Sequence, residues 1–216
     1  MAADRDGAED GQARLEVGVG PWPGGRDAWP TDARYDPELL EHGDRRNVVD
    51  GYRYWGVDAI SADLDARRRP FAVAIENWQH DLNIGSIVRS ANAFLADSVH
   101  IVGRRRWNRR GAMVTDRYQR SVHHPGIEGL VAWATDTDRV LVAVENGPGA
   151  VDIDAGSLPE RCVLLFGQEG PGLTPEALAA ADRTVSIRQA GSTRSLNAAA
   201  AAAIAMHEWV RTHAPP

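Results

Sequence analysis

From Pro70 onward, short apolar runs alternate with helical patterns, and this alternation constrains the fold more than any other feature of the chain. The runs are FAVAIEN (71–77), SVHIVG (98–103), RVLVAVE (139–145), CVLLFG (162–167) and TVSI (184–187). Their apolar character is continuous, which marks strands buried on both faces, as in a parallel sheet between two helical layers. Helical patterns fall near 84–95, near 175–182 and from about 195 to 212, with a further apolar segment, EGLVAWATD, at 128–136. The expected fold is therefore α/β, with a mostly parallel sheet and helices on both faces. Ligands of such sheets bind beyond the carboxyl ends of the strands, so the loops after Asn77, Glu145, Phe166 and Ile187 are where a site belongs.

The chain before Pro70 lacks this texture. Residues 1–35 are rich in Gly, Pro, Asp and Ala and show no periodicity, which predicts a disordered or extended arm. Residues 36–70 are charged and weakly helical, which predicts a short helical extension with Ser61 as a helix N-cap. Residues 71–216 form the α/β domain.

Composition excludes several chemistries. All 24 basic residues are arginine, so no Walker lysine and no Schiff-base lysine exists. The single cysteine, Cys162, rules out a disulfide framework and a cysteine-rich zinc site. The seven histidines show no HExxH spacing, and no GxSxG elbow is present, so neither a metal centre nor a serine hydrolase is expected. No apolar run is long enough to span a bilayer and the N-terminus carries no signal-peptide pattern, so the chain is expected to be cytoplasmic and away from the membrane.

The formal charge of -6 hides a strong asymmetry. Arg104, Arg105, Arg106, Arg109, Arg110, Arg117 and Arg120 share one stretch with a single acid, Asp116, which makes that stretch +6 and leaves -12 for the rest. Trp107 and Tyr118 lie within it, and aromatic rings among arginines suit phosphate contacts combined with stacking on unpaired bases. The expected partner is RNA. A plain solvated basic loop is the other reading of the same residues.

Three further segments can carry chemistry. In NIGSIVRSAN (83–92), Ile84, Ile87, Val88 and Ala91 make a buried helical stripe, while Asn83 is placed to cap the helix and Arg89 lies off the stripe. GQEGPGLTPE (167–176) is a glycine-rich turn spaced GxxGxG, without the dinucleotide fingerprint, and it contains an acid, Glu169, that a turn does not require. In RSLN (194–197), before six alanines, Ser195 is placed as a helix N-cap.

In this order and spacing the three segments resemble the motifs of the SpoU (TrmH-like) RNA 2'-O-ribose methyltransferases of the SPOUT superfamily, over roughly Phe71 to the C-terminus. Asn83 and Arg89 match the first motif, Gly167 and Glu169 the second, and Ser195-Leu196-Asn197 the third. The resemblance implies a C-terminal deep trefoil knot, a homodimer formed through the knot region, and S-adenosylmethionine bound by the knot loops. It implies that Gly167, Ile187 and Leu196 hold the adenosine through main chain, with Glu145, Asn146 and Gly147 nearby. The family's Ile-Pro-Met is replaced here by Ile187-Arg188-Gln189, so one cofactor loop departs from the pattern.

Arg89 fills the activating role by resemblance. Because a guanidinium stays protonated in proteins, it is read as an electrostatic aid that gathers the ribose 2'-oxygen and a phosphate. Asn83, Glu169, Ser195 and Asn197 would orient Arg89 and the ribose. Both tRNA and rRNA are open as substrates, with tRNA preferred because no separate N-terminal RNA-binding domain is evident. A non-catalytic RNA-binding member of the fold is the alternative.

Overall fold

A computed structural model describes residues 18–79, 83–154, 156 and 158–214. The chain divides into two compact units, one ending at Gly56 and the other beginning at Val57.

In the first unit, residues 18–35, read from composition as part of a disordered or extended arm, make bridges and ring contacts, and residues 1–17 of that arm lie outside the described residues. Val19 bridges Asp44, Tyr35 bridges Trp55, and Trp22 packs edge-on against Tyr35 and Tyr54 at 5.7 and 5.2 Å. Helix α1 (Pro37–His42) starts where Asp36 accepts the Glu38 amide hydrogen and Pro37 supplies a preset first turn. The unit has little apolar interior, and a buried carboxylate organises it instead. Asp44 is fully buried, receives both arms of Arg46 at 2.8 and 2.7 Å, and accepts the amides of Arg46 and Tyr54. Burial pushes its pKa up, but these bonds outweigh burial and hold the carboxyl at about 2.

The second unit begins with helix α2 (Val57–Asp65), which starts four residues before Ser61, so Ser61 lies inside the helix and caps nothing. The seven strands that follow are β1 (Phe71–Asn77), β2 (Val99–Gly103), β3 (Ser121–His124), β4 (Val140–Val144), β5 (Val151–Asp152), β6 (Cys162–Phe166) and β7 (Arg183–Ser186). They form one sheet in the order β3-β2-β1-β6-β4-β7-β5, and every pairing is parallel. The expected α/β class is therefore observed.

The remaining helices are α3 (Asn83–Ala93), α4 (Ile127–Asp136), α5 (Pro175–Ala180) and α6 (Ala198–His213). Side chains of a strand alternate between faces, and β1 shows the consequence. Phe71, Val73 and Ile75 join one core with α3 and α6 residues, while Ala72 and Ala74 join another with α4 and α5 residues. Trp209 of α6 closes the first core 4.4 Å from the Phe71 ring, its indole N–H donating to the Pro159 and Glu160 carbonyls. Among the described residues no helix is long and apolar enough to cross a membrane.

His123 and His124 lie in β3. His124 Nε2 is 2.7 Å from His100 Nδ1, and His100 Nε2 is 2.9 Å from Ser98 Oγ, all buried between β2, β3 and Trp133. Burial is the main cause that holds His100 down at about 3, with the charges of His124 and Arg139 adding to it. A histidine so depressed binds no proton in the fold down to about pH 3, whereas the unfolded chain takes one up below about 6.5. Stability contributed by neutral His100 is therefore complete above pH 6.5 and falls with pH through the window from 6.5 to 3, by at most about 1.4 kcal/mol per pH unit. Urea midpoints at pH 7, 6 and 5 should show the decline, and His100→Gln should lessen it, the remainder coming from His124, which burial also holds below its ordinary value.

Candidate active site

The carboxyl ends of β4, β6 and β7 open into a cleft of about 420 Å³. Its walls come from three loops: the one after β4, the glycine-rich turn after β6, and the 187–197 segment that leads into α6. Of the residues expected around a cofactor, Glu145, Asn146, Gly167, Ile187 and Leu196 line the cleft, and Gly147 does not. Of those expected to be catalytic, Glu169, Ser195 and Asn197 line it.

The turn after β6 is closed by paired backbone bonds. The Gln168 amide donates to the Gly172 carbonyl at 3.2 Å, and the Gly172 amide donates back at 3.1 Å. Gly167 sits where this turn folds over its own backbone, and a Cβ there would lie 2.1 Å from the Gly172 carbonyl carbon and 2.2 Å from the Leu173 nitrogen. Gly172 adopts φ +73 and faces the Glu145 carboxylate, which accepts the Leu173 amide at 3.2 Å. Glycine is thus required at both positions, at Gly167 for space and at Gly172 for space and backbone handedness.

A hydrogen-bond chain ties all three motif segments together. Asn197 donates to Asn83 Oδ1 at 2.8 Å, and Asn83 donates to Glu169 Oε2 at 2.9 Å. Asn197 also caps α6, accepting the Ala199 and Ala200 amides, so it takes the position expected of Ser195. Asn83 occupies the first turn of α3 and spends its side chain on this network. Arg89 is exposed six residues further along α3, about 9 Å up the helix axis, and does not line the cleft.

Sequence reasoning missed Glu76. Its side chain is buried at the end of β1 and accepts the Thr174 amide (2.7 Å), the Thr174 hydroxyl (2.7 Å) and the Trp78 indole N–H (3.0 Å). Gln168 makes a second tie by accepting the Trp78 amide at 2.8 Å. The available signal was a carboxylate inside an otherwise apolar strand run, which must find donors when buried.

The basic stretch leaves the end of β2 alongside this site. Asn77 donates to the Arg104 and Arg106 carbonyls at 2.7 and 3.0 Å, and the turn at 110–112 lies across the start of α3. A Cβ on Gly85 would meet the Ala112 nitrogen at 2.7 Å, so the contact is backbone against backbone. Arg104, Arg105, Arg106, Arg109, Arg110 and Arg117 are exposed. The two aromatics differ from expectation: Tyr118 is buried, and Trp107 is half-buried against the core with the Arg109 guanidinium 5.7 Å from its ring centre. Among the described residues no group of three or more histidine, cysteine or acidic side chains is placed to hold a metal.

A parallel sheet whose carboxyl end carries a glycine-lined cleft, joined by three separate motif segments, is the arrangement at which α/β domains hold their ligands. The profile of the SpoU rRNA Methylase family matches residues 70–207, and the chain belongs to that family. It is 31% identical over 153 residues to the tRNA (guanosine(18)-2'-O)-methyltransferase of Escherichia coli (strain K12), covering 69% of this chain and 67% of that one. It is 35% identical over 173 residues to an uncharacterized tRNA/rRNA methyltransferase of Mycolicibacterium smegmatis, covering 76% of this chain and 54% of the relative. The SpoU methyltransferase AviRb from Streptomyces viridochromogenes, solved in complex with AdoMet, superposes with TM-score 0.59 at 30% identity, over 67% of this chain and 58% of that one. The chain thus spans only a little over half the length of these last two proteins.

Proposed function

We propose that the chain is an S-adenosylmethionine-dependent RNA methyltransferase acting on a ribose 2'-hydroxyl, with tRNA preferred over rRNA. The observation that carries this reading is the Asn197–Asn83–Glu169 chain, which joins three distant motif segments at one cleft. The cleft suits the cofactor chemically: Val144, Phe166, Ile187 and Leu196 offer apolar wall to an adenine ring, and Glu145 and Glu169 offer carboxylates to its cationic groups. Main chain around Gly167, Ile187 and Leu196 holds the adenosine in this reading. A C-terminal trefoil knot belongs to it as well, supported by β6 lying between β1 and β4 although both precede it in the chain. A homodimer through the knot region is supported by the exposed apolar Ile204 on α6. The reading places the protein in the cytoplasm with its RNA.

When bound, the cofactor supplies an activated methyl carbon for in-line displacement. The protein must place the ribose oxygen and stabilise it as its proton leaves. The Arg89 guanidinium attracts the 2'-oxygen and an adjacent phosphate in this reading, while the proton passes to phosphate or water. Asn83, held by Asn197, fixes the direction of the Glu169 carboxylate at the wall of the cleft, and Ser195 braces the same wall. Methyl incorporation from radiolabelled S-adenosylmethionine into unmodified total tRNA, and separately into unmodified rRNA, tests the assignment. Greater incorporation into tRNA is expected. RNA binding without incorporation selects the non-catalytic alternative, and failure to bind the cofactor removes the methyltransferase reading.

The exposed arginines of 104–117 supply the RNA grip in this reading. Changing Arg105, Arg106 and Arg109 together to alanine is expected to weaken RNA binding about 10- to 100-fold at low salt and to lower the salt slope by about 2. The slope loss falls short of three contacts because Arg109 already pairs with Asp116 at 3.3 Å. Cofactor affinity should not change. Unaltered RNA affinity in a filter-binding titration would place the docking surface elsewhere.

A further inference from the structure

We infer that the carboxamide of Gln189 recognises the adenine amino group of the bound cofactor, so that one side chain reads the base. The inference rests on the cleft being the cofactor site. Along the extended segment after β7, Ile187 and Gln189 line the cleft, while Arg188 between them pairs with Asp152. The alternation of an extended chain thus turns Gln189 inward. Its Oε1 is buried and accepts no hydrogen bond from the described residues. A buried acceptor without a donor is destabilising, and a ligand N–H that reaches it recovers that free energy on binding.

Among the cofactor's donors, charge decides the match. The ammonium of the methionine portion is cationic and suits the carboxylates of Glu145 or Glu169. A neutral carboxamide oxygen suits a neutral aryl amine, and the apolar Ile187 and Leu196 beside it suit a flat base. Gln189 is a binding residue in this account and takes no part in methyl transfer.

Calorimetric titration of the full chain with S-adenosylhomocysteine and with S-inosylhomocysteine, which carries a carbonyl in place of the amino group, provides the test. The wild type should prefer the adenosyl compound by about 10-fold or more. Gln189→Met removes the acceptor at nearly constant volume. It should weaken the adenosyl compound about 5- to 50-fold and leave the inosyl compound within about twofold. The melting temperature of the free variant should not fall, because the orphaned oxygen is gone. Gln189→Glu, which keeps an acceptor, should keep the preference. A wild type that binds both compounds equally, or a Met variant that keeps both affinity and preference, overturns the inference. Leu196→Trp separates this from the site assignment: if filling the cleft leaves S-adenosylhomocysteine affinity unchanged, the cofactor binds elsewhere and the proposed site itself falls.

Discussion

Arg89→Ala should lose methyl transfer by about 100-fold or more while binding S-adenosylhomocysteine within about twofold of wild type. Two features of the structure make the separation expected. Arg89 is exposed on α3 and does not line the cleft proposed for the cofactor, so its removal takes nothing from the walls of that cleft. Alanine is also a better helix former than arginine, and an exposed substitution of this kind changes stability by no more than about 0.5 kcal/mol. The loss then falls on the developing charge at the ribose oxygen, which a fixed guanidinium stabilises most in the transition state. Arg89→Lys, with charge but no planar fork, should recover only part of the rate. Single-turnover methyl transfer at saturating cofactor and RNA is the measurement, and a variant that keeps most of its rate takes Arg89 out of the chemistry.

Gly167→Ala is expected to be the most damaging single-methyl change in the chain. The added carbon would lie 2.1 Å from one backbone atom and 2.2 Å from another, both in the turn that folds back as residues 172–173. Neither is a flexible side-chain tip, so the turn itself must open. Opening it breaks the Gln168–Gly172 bond pair and moves the Leu173 amide away from Glu145. A destabilisation of about 3 kcal/mol follows, seen as a melting temperature lower by about 10 °C. S-adenosylhomocysteine affinity should fall below detection. Gly147→Ala is the matched control, since nothing lies within 4 Å of the added carbon and the residue does not line the cleft. If Gly167→Ala binds and melts like Gly147→Ala, the close approach at this turn plays no part in holding the cleft.

Much of the molecule could be read directly from the residues. The continuous runs at 71–77, 98–103, 139–145, 162–167 and 184–187 all became parallel strands, because burial on both faces leaves a local composition signature. The edge strands escaped for the same reason. Ser121–His124 is largely exposed and polar, and Val151–Asp152 is two residues long, so neither carries an apolar run. Helix caps were misassigned at Ser61 and Ser195 because several residues near each start can cap, and which one does depends on where the chain enters the helix.

The sequence alone determined the α/β class, the carboxyl-end location of the cleft, and the three motif segments, because each depends on residues close together in the chain. Only the tertiary structure decided that Asn197, Asn83 and Glu169 share one hydrogen-bond chain, since they are separated by 114 and 86 residues. It alone showed that Glu76 pins the turn at Thr174 from 98 residues away. The burial of Tyr118 and the unmet acceptor of Gln189 likewise emerged only there. Hydrogen bonds and burial act through space, and no local pattern states which distant partner a polar side chain will meet.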